Sequence, residues 1–414
     1  MYLRTSKYRI KRTRPPRFNI PFIVVACLAI IGLVYFQQYI VPTIPKPSAP
    51  TTAPTRSAAS FAEEAATLFE EGKLQSSIDM YIQAIHANPK NTDLYIALSR
   101  VQVFAGKYPD ALEYAANAVL LSKSALSYAV YGEALHRLGT TQTGAEQARN
   151  YTTAEQQLRK SLDLDPNLAL AHAYLAELIM DSDPNASWKT ASEEAKAALA
   201  LSPNLMESHR AMAYVYYLTD NSPESSAEYQ AAITIKPKLA DLYIPLGDML
   251  LKQQMTNDAI DAYLQASALD SQNPDPLARI SRAYAGAGQY GKAAQYAENA
   301  LVLAPLDPRY HGLLGEMYYF NRNFAGAITE LTLAVVGGQT EDGTIPGLPL
   351  EAGRVAEYYY TYGLALAKVD RCAEAIPVLR LVQQAMPDDA NAQENVTQGL
   401  ILCKEITPTP APKE

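Results

Sequence analysis

The sequence predicts an all-α protein whose body is a solenoid of about nine helix pairs. Small residues recur at spacings of 34 residues, as at Ala259, Ala293 and Ala327. Each unit of this length contains two amphipathic segments of about 14 residues. Proline follows many of the units at a matching offset, where it cannot continue a helix. Because one helix pair cannot bury its apolar face alone, units of this kind stack into a continuous array.

The N-terminal residues 1–19 predict a basic cytoplasmic tail, since they carry seven basic residues and no acidic one. From residue 58 onward the chain has 43 acidic residues against 26 basic ones, a net charge of −17, whereas the whole chain has −8. An acidic body argues against nucleic acid as a partner.

Residues 20–41 predict a transmembrane helix, because these 22 residues carry no charge. As an α-helix they would extend about 33 Å, compared with a hydrocarbon core of ~30 Å. The preceding basic tail places the N-terminus in the cytoplasm and the body on the extracytoplasmic side. We expect an uncleaved signal-anchor; a cleaved signal peptide and lipidation of Cys27 remain alternatives.

A spacer and a terminal cap flank the repeats. Residues 42–57 contain five prolines and predict a Pro/Thr/Ser-rich linker that reaches up to about 50 Å. Residues 58–389 form the nine units, residues 390–406 predict a capping helix, and residues 407–414 predict a disordered tail.

Small residues occupy two fixed positions in every unit, where they allow the two helices to approach closely. In the first helices they are Ala65, Ser99, Gly132, Ala176, Ala213, Gly247, Ser281, Gly315 and Gly363. At the start of the second helices they are Ser77, Ala111, Ala154, Ala191, Ser225, Ala259, Ala293, Ala327 and Ala375. This pattern resembles the tetratricopeptide repeat (TPR). The resemblance implies a right-handed α-solenoid with a concave groove, lined by the first helices, that binds a protein or peptide partner.

The resemblance also implies which side chains face this groove. The candidates form a mixed-charge surface with tyrosines at its middle, and tyrosine suits binding because it combines a large apolar area with a polar tip. They are Arg100, Glu133, His136, Arg137, Glu177, Arg210, Tyr214, Tyr217, Asp248, Arg282, Glu316 and Tyr319. The family's carboxylate clamp uses Lys at the fifth place and Asn at the ninth, and no unit has both. A chaperone C-terminal tail is therefore not the expected ligand.

Three insertions interrupt the repeat, near 140–150, near 183–188 and at 337–353. We expect insertions to lie in surface loops. The Gly- and Pro-rich segment 337–353 is either a contact site for a partner or an insertion that the fold tolerates without a binding role.

Two cysteines predict a disulfide in the C-terminal cap. Cys372 lies 16 residues before a turn near Asp388 and Cys403 lies 15 residues after it. Antiparallel helices on either side of that turn would bring the two thiols to the same height. Such a bond fits an oxidising compartment, and two buried free thiols are the alternative.

The sequence contains no catalytic, cofactor-binding or metal-binding motif. His172, His209 and His311 fall at a bulky packing place of their units, so we expect them to pack, and His136 faces the expected groove without a partner at metal spacing. We therefore predict a non-catalytic scaffold for protein–protein interactions, without cofactor, small-molecule substrate or nucleic acid. The alternatives are a membrane-tethered chaperone or peptide receptor, and an accessory subunit of an envelope assembly or secretion enzyme complex.

Overall fold

The computed structural model describes residues 20–40, 56–183 and 187–407. The predicted basic tail, most of the proline-rich linker and nearly all of the C-terminal tail lie outside these residues. The chain divides into two compact units, Met1–Arg56 and Ser57–Glu414, and each is considered by itself.

In the first unit, helix α1 (Ile20–Tyr35) leads directly into a π-helical turn, Phe36–Ile40. The rings of Tyr35 and Tyr39 stack at 4.9 Å between centroids. Large apolar side chains such as Leu33 remain exposed. Within the described ranges, no helix combines the length and the apolar character that crossing a membrane requires.

The second unit consists of helix pairs followed by one terminal helix, so its all-α solenoid architecture agrees with the sequence prediction. The first helices of the pairs are α2 (Ala58–Glu70), α4 (Thr92–Phe104), α6 (Ala125–Thr140), α8 (Ala169–Ser182), α10 (Met206–Leu218), α12 (Tyr243–Lys252, after a 3₁₀ turn at Ala240–Leu242), α14 (Asp275–Gly286), α16 (Pro308–Phe320) and α18 (Arg354–Lys368). The second helices are α3 (Leu74–Ala87), α5 (Tyr108–Leu121), α7 (Gly144–Leu164), α9 (Trp188–Leu201), α11 (Ser222–Ile235), α13 (Thr256–Leu269), α15 (Tyr290–Leu303), α17 (Phe324–Val335) and α19 (Cys372–Ala385), and the last helix is α20 (Ala390–Leu402).

The small residues of the repeat lie where the two helices of a pair touch. A Cβ atom on Gly247 would lie 2.4 Å from the ring of Tyr263, and one on Gly363 would lie 2.6 Å from Leu379. Serine at these positions adds a hydrogen bond between the helices: the Oγ of Ser77 donates to the carbonyl of Ala65 at 2.7 Å. Close approach therefore explains the periodicity in the sequence.

The third-unit insertion is not a loop, which corrects the expectation from the sequence. Only residues 141–143 separate α6 from α7, and α7 is 21 residues long. The added residues extend this helix, and its Tyr151 packs on Gly139, where a Cβ atom would lie 2.7 Å from the ring. An alanine- and glutamine-rich segment such as this has high helix propensity, so it lengthens the helix that it enters.

The segment between α17 and α18 forms a short antiparallel hairpin of β1 (Gly337–Gln339) and β2 (Thr344–Pro346). Ile345 is buried, and the Oη of Tyr359 donates to the carbonyl of Leu348 at 2.6 Å. These contacts fix the excursion against α17 and α18.

The N-terminal half of the solenoid closes on itself. The rings of Phe69 and Phe104 lie 5.5 Å apart and pack in one cluster with Leu239 of the segment after α11. Lys236 forms an ion pair with Glu70, 166 residues away in the chain. The first two units therefore pack across the concave face onto the fifth and sixth.

Candidate functional site

The twelve predicted groove residues do not form one continuous surface. Closure of the N-terminal half buries one group, a second lines a small cavity, and a third lies in or beside an open groove in the C-terminal half. Their positions determine which part of the concave face can receive a partner.

The buried group forms a network of ion pairs. The Nε of Arg137 donates to Glu133 at 2.8 Å, and Arg137 also pairs with Glu177. Arg210 reaches Glu177 at 2.8 Å, while Arg100 pairs with Glu207. The carboxyl groups of Glu133 and Glu177 are almost fully buried, so they hold arginines in place and are not available to a partner.

His136 belongs to the same interior, which corrects the expectation that it faces the groove without a partner. Its side chain is completely buried, and its Nε2 lies 2.7 Å from a carboxylate oxygen of Asp181. Tyr214 donates its phenolic hydrogen to the other oxygen of Asp181. Burial by itself would lower the pKa of His136, but the carboxylates of Asp181 and Glu133 outweigh burial and raise it. The two carboxylates therefore favour the protonated form of the ring.

A small cavity of about 150 Å³ remains inside the N-terminal half. Arg137, Glu177, Arg210 and Tyr214 line it, together with Tyr229 of α11. Ligand clefts commonly measure ~300–1,000 Å³. This cavity is therefore too small for a peptide, and these four predicted residues serve the packing of the solenoid.

The open groove lies in the C-terminal half and has a volume of about 560 Å³. Its lining combines four basic side chains with two tyrosines, one aspartate and one leucine: Tyr217, Asp248, Leu251, Lys252, Tyr263, Arg279, Arg282 and Arg354. Three of these, Tyr217, Asp248 and Arg282, are among the sequence candidates. A volume of this size accommodates several residues of an extended peptide.

Asp248 forms the centre of the groove floor. One of its oxygens accepts from Tyr263 at 2.7 Å and from Arg279, and the other accepts from Tyr217 at 3.2 Å. The acceptor positions of this carboxylate are thereby largely used inside the protein.

Glu316 adjoins the open groove from α16 and is buried. Burial raises its pKa to about 8, and the neighbouring carboxylate of Glu357 adds to this effect against the opposing influence of Arg354 and Arg282. At neutral pH Glu316 is therefore mainly uncharged and does not cancel the positive charge beside it.

Tyr319 lies outside the lining of both cavities. Its ring contacts Phe320 at 5.5 Å and Phe324 at 5.7 Å between centroids. It forms part of an aromatic cluster at the turn between α16 and α17.

Five groove residues escaped prediction from the sequence: Leu251, Lys252, Tyr263, Arg279 and Arg354. Arg279 lies three residues before Arg282 on α14, and this spacing places both on one helix face, which is a signal that could have been used. Arg354 is the first residue of α18, directly after the insertion 337–353, where the repeat register is interrupted.

The three histidines expected to pack are half-buried or buried, and each is also hydrogen-bonded on both sides of its ring. In His172, His209 and His311 the Nδ1 lies 2.5–2.6 Å from a glutamate of the following helix, and the Nε2 lies 2.8–3.0 Å from the carbonyl of the preceding proline. The hydrogen bonds raise the pKa of His172.

A disulfide links Cys372 at the start of α19 to Cys403 at the end of α20, with the Cα atoms 5.4 Å apart. The structure thus brings together the two cysteines that the sequence pairs. Among the described residues, no group of three or more His, Cys, Asp or Glu side chains is arranged to hold a metal ion.

Residues 250–317 match the family described as tetratricopeptide repeat. Together with the helix-pair solenoid, this match supports a TPR protein. No curated protein matches the chain.

Several solved structures resemble the fold. The human IFIT1 dimer with PPP-AAAA is 17% identical, with 83% of this chain and 82% of that chain covered and a TM-score of 0.55. Yeast Tom70 is 15% identical, with 84% and 89% covered and a TM-score of 0.43. Pseudomonas aeruginosa pilF is 20% identical, with 56% and 98% covered and a TM-score of 0.45. At these identities the likeness concerns the fold alone.

Proposed function

We propose that this protein is a non-catalytic scaffold that binds an extended segment of a partner protein in its open groove. The observation that carries the proposal is the difference between the two halves of the concave face. The cavities of the N-terminal half measure about 150 and 260 Å³, whereas the open groove of the C-terminal half measures about 560 Å³. Tyrosine and arginine, which line the open groove, are enriched at the binding hot spots of protein interfaces.

The proposal includes a membrane anchor formed by residues 20–41, with the solenoid on the extracytoplasmic side. The uncharged segment and the basic residues before it support this orientation. Its side chains add support, because Val25, Leu28 and Ile31 are 62–65% exposed. A disulfide between Cys372 and Cys403 fits a compartment outside the reducing cytoplasm.

Photo-crosslinking from the open groove tests the binding function. A photoreactive amino acid replaces Leu251, which lines the groove, and a control replaces Leu120 of α5, which is 81% exposed elsewhere on the array. In native membranes we expect one or a few discrete products from position 251 and none of the same mass from position 120. Identical products at both positions would contradict the proposal. A heterogeneous set of unfolded clients would instead favour a chaperone.

Protease protection and alkaline extraction test the anchor. A protease added to spheroplasts should digest the solenoid, and alkaline carbonate should leave the chain in the membrane pellet. Leu28→Arg places a charge in the apolar segment at a cost of about 2.5–3.5 kcal/mol, so it should release a large fraction of the protein. A solenoid that is protected in spheroplasts would reverse the orientation, and release of the unsubstituted chain by carbonate would rule out the anchor.

A further inference from the structure

We infer that the open groove selects an acidic segment of the partner, an extended peptide that carries at least two carboxylates. This inference rests on the proposed function and names the chemistry of the ligand. It follows from the number of basic side chains in the groove and from the solvent exposure of two of the three ion pairs that they form inside the protein.

The four cations of the groove come from three helices and converge on one space. Lys252 lies on α12, Arg279 and Arg282 lie on α14, and Arg354 lies on α18. A single acidic group, Asp248, lines the same space. The groove therefore carries excess positive charge within a body whose net charge is −17.

The internal partners of these cations leave most of that charge available. Arg279 is engaged by the partly buried Asp248. Lys252 pairs with Asp220, which is 78% exposed, and Arg354 lies 3.6 Å from a carboxylate oxygen of the exposed Glu357. Exposed pairs of this kind contribute little, so a bound carboxylate competes with them easily.

Arg282 offers the most direct indication of a ligand. Its guanidinium interacts with Tyr358, but its buried Nε makes no hydrogen bond among the described residues. A buried donor without an acceptor is costly, and a carboxylate would relieve this cost with a charge-assisted hydrogen bond. The neutral state of Glu316 beside it leaves the positive charge of Arg282 uncompensated from that side.

A long polyanion fits less well than a short acidic segment. A nucleic acid strand would extend beyond the four cations and cross a body with 43 acidic side chains, where its phosphates would be repelled. A peptide presents two or three carboxylates to the groove, and its neighbouring residues need not be charged. The favoured occupant is therefore an acidic peptide segment.

Fluorescence anisotropy on the full chain in detergent tests this inference. The probe is a fluorescein-labelled peptide of eight residues with alternating Glu and Ser, and its matched control has Gln in place of Glu. We expect the Glu peptide to bind at least about tenfold more tightly than the Gln peptide and to weaken as salt increases. Equal affinities for the two peptides, or no binding of the Glu peptide, would overturn the inference.

Variants locate the binding in the open groove. Arg282→Gln combined with Arg354→Gln should weaken the Glu peptide about tenfold or more, because two charge-assisted contacts are lost. Arg159→Gln removes an exposed arginine of α7 that pairs with Glu155 outside the groove, and it should leave binding unchanged. Arg282→Lys keeps the positive charge, so it should lose less affinity for the Glu peptide than the double Gln variant does. This comparison reveals an effect of charge even if one of the variants folds poorly. Unaltered binding in the double variant, with a native circular dichroism spectrum, would refute the site.

Two further outcomes separate this inference from the proposed function. A single-stranded oligonucleotide that displaces the peptide at lower concentration than unlabelled Glu peptide would assign the groove to nucleic acid instead. Discrete crosslinks from position 251 without any preference for the Glu peptide would keep the scaffold function and discard the acidic ligand. Failure of both experiments would discard both.

Discussion

Breaking the disulfide between Cys372 and Cys403 should destabilise the C-terminal cap selectively. The bond closes a segment of 31 residues in sequence separation. The chain-entropy relation for a loop of this length gives about 3–4 kcal/mol of stabilisation. The terminal helix α20 has 13 residues, too few to be stable alone in water, and it is held mainly by burial of Val396 and Leu400. In a repeat array each unit contacts only its neighbours, so the loss should remain local.

Hydrogen exchange measured by mass spectrometry is the appropriate assay. In Cys403→Ala the amides of α20 should exchange about 100-fold faster or more, whereas those of α8 and α10 should keep their protection. Cys27→Ser removes an exposed free thiol of the N-terminal compact unit, Met1–Arg56, and serves as the matched control. Unchanged exchange in α20 of Cys403→Ala would refute the reasoning, as would three titratable thiols in the denatured, non-reduced chain.

Three further predictions concern packing, backbone strain and pH. Gly247→Ala should lower the free energy of unfolding in urea by about 1–3 kcal/mol, because the added Cβ would clash with Tyr263. Gly286→Ala, where the structure leaves open space, should be neutral or stabilising. Equal effects of the two substitutions would contradict the packing explanation. Gln254→Gly should raise the free energy of unfolding by about 1 kcal/mol, because Gln254 has a φ of 63°. A lower free energy of unfolding would show that the Gln254 side chain contributes more than the backbone strain costs. Burial alone would lower the pKa of His311, but the hydrogen bonds to Glu330 and to the carbonyl of Pro305 outweigh burial and raise it. The stabilising contribution of the protonated His311 is complete below the unfolded pKa near 6.5 and is lost as the pH rises through the higher folded pKa. The melting temperature should therefore fall between pH 6 and pH 8, and it should fall less in His311→Gln. An identical fall in both proteins would contradict this role.

The repeat itself could be predicted because its cause is local. A small residue such as Gly247 or Ser77 is needed wherever two helices of a pair touch, and this requirement recurs with every unit. The pairing of Cys372 with Cys403 is also local, since it depends only on two adjacent helices and one turn.

Closure of the N-terminal half could not be predicted in the same way. It depends on the superhelical rotation that accumulates over several units, which the periodicity of one unit does not contain. The ion pair between Glu70 and Lys236 has no signature in either local sequence. For this reason the sequence assigned Glu133 and His136 to a groove, although both lie in the interior.

The open groove was predicted in part. Asp248 and Arg282 occupy the inward-facing place of their units, so repeat register located them. Arg354 enters the groove from the start of α18, directly after the hairpin insertion, where the repeat register is interrupted. The positive character of the site was therefore visible only after the fold had brought α12, α14 and α18 together.

The contact between the first and fifth helix pairs of the solenoid has a consequence for folding kinetics. Repeat arrays normally fold from short-range contacts alone, because neighbouring units are close in sequence. Here the pair formed by Lys236 and Glu70 joins residues 166 positions apart, so the array has an unusually high contact order at one end. Forming it requires loop closure over nearly half the solenoid, an entropic cost that must be met before the contact stabilises the chain. We therefore expect a slow final folding phase in which the N-terminal units dock onto a middle that is already formed.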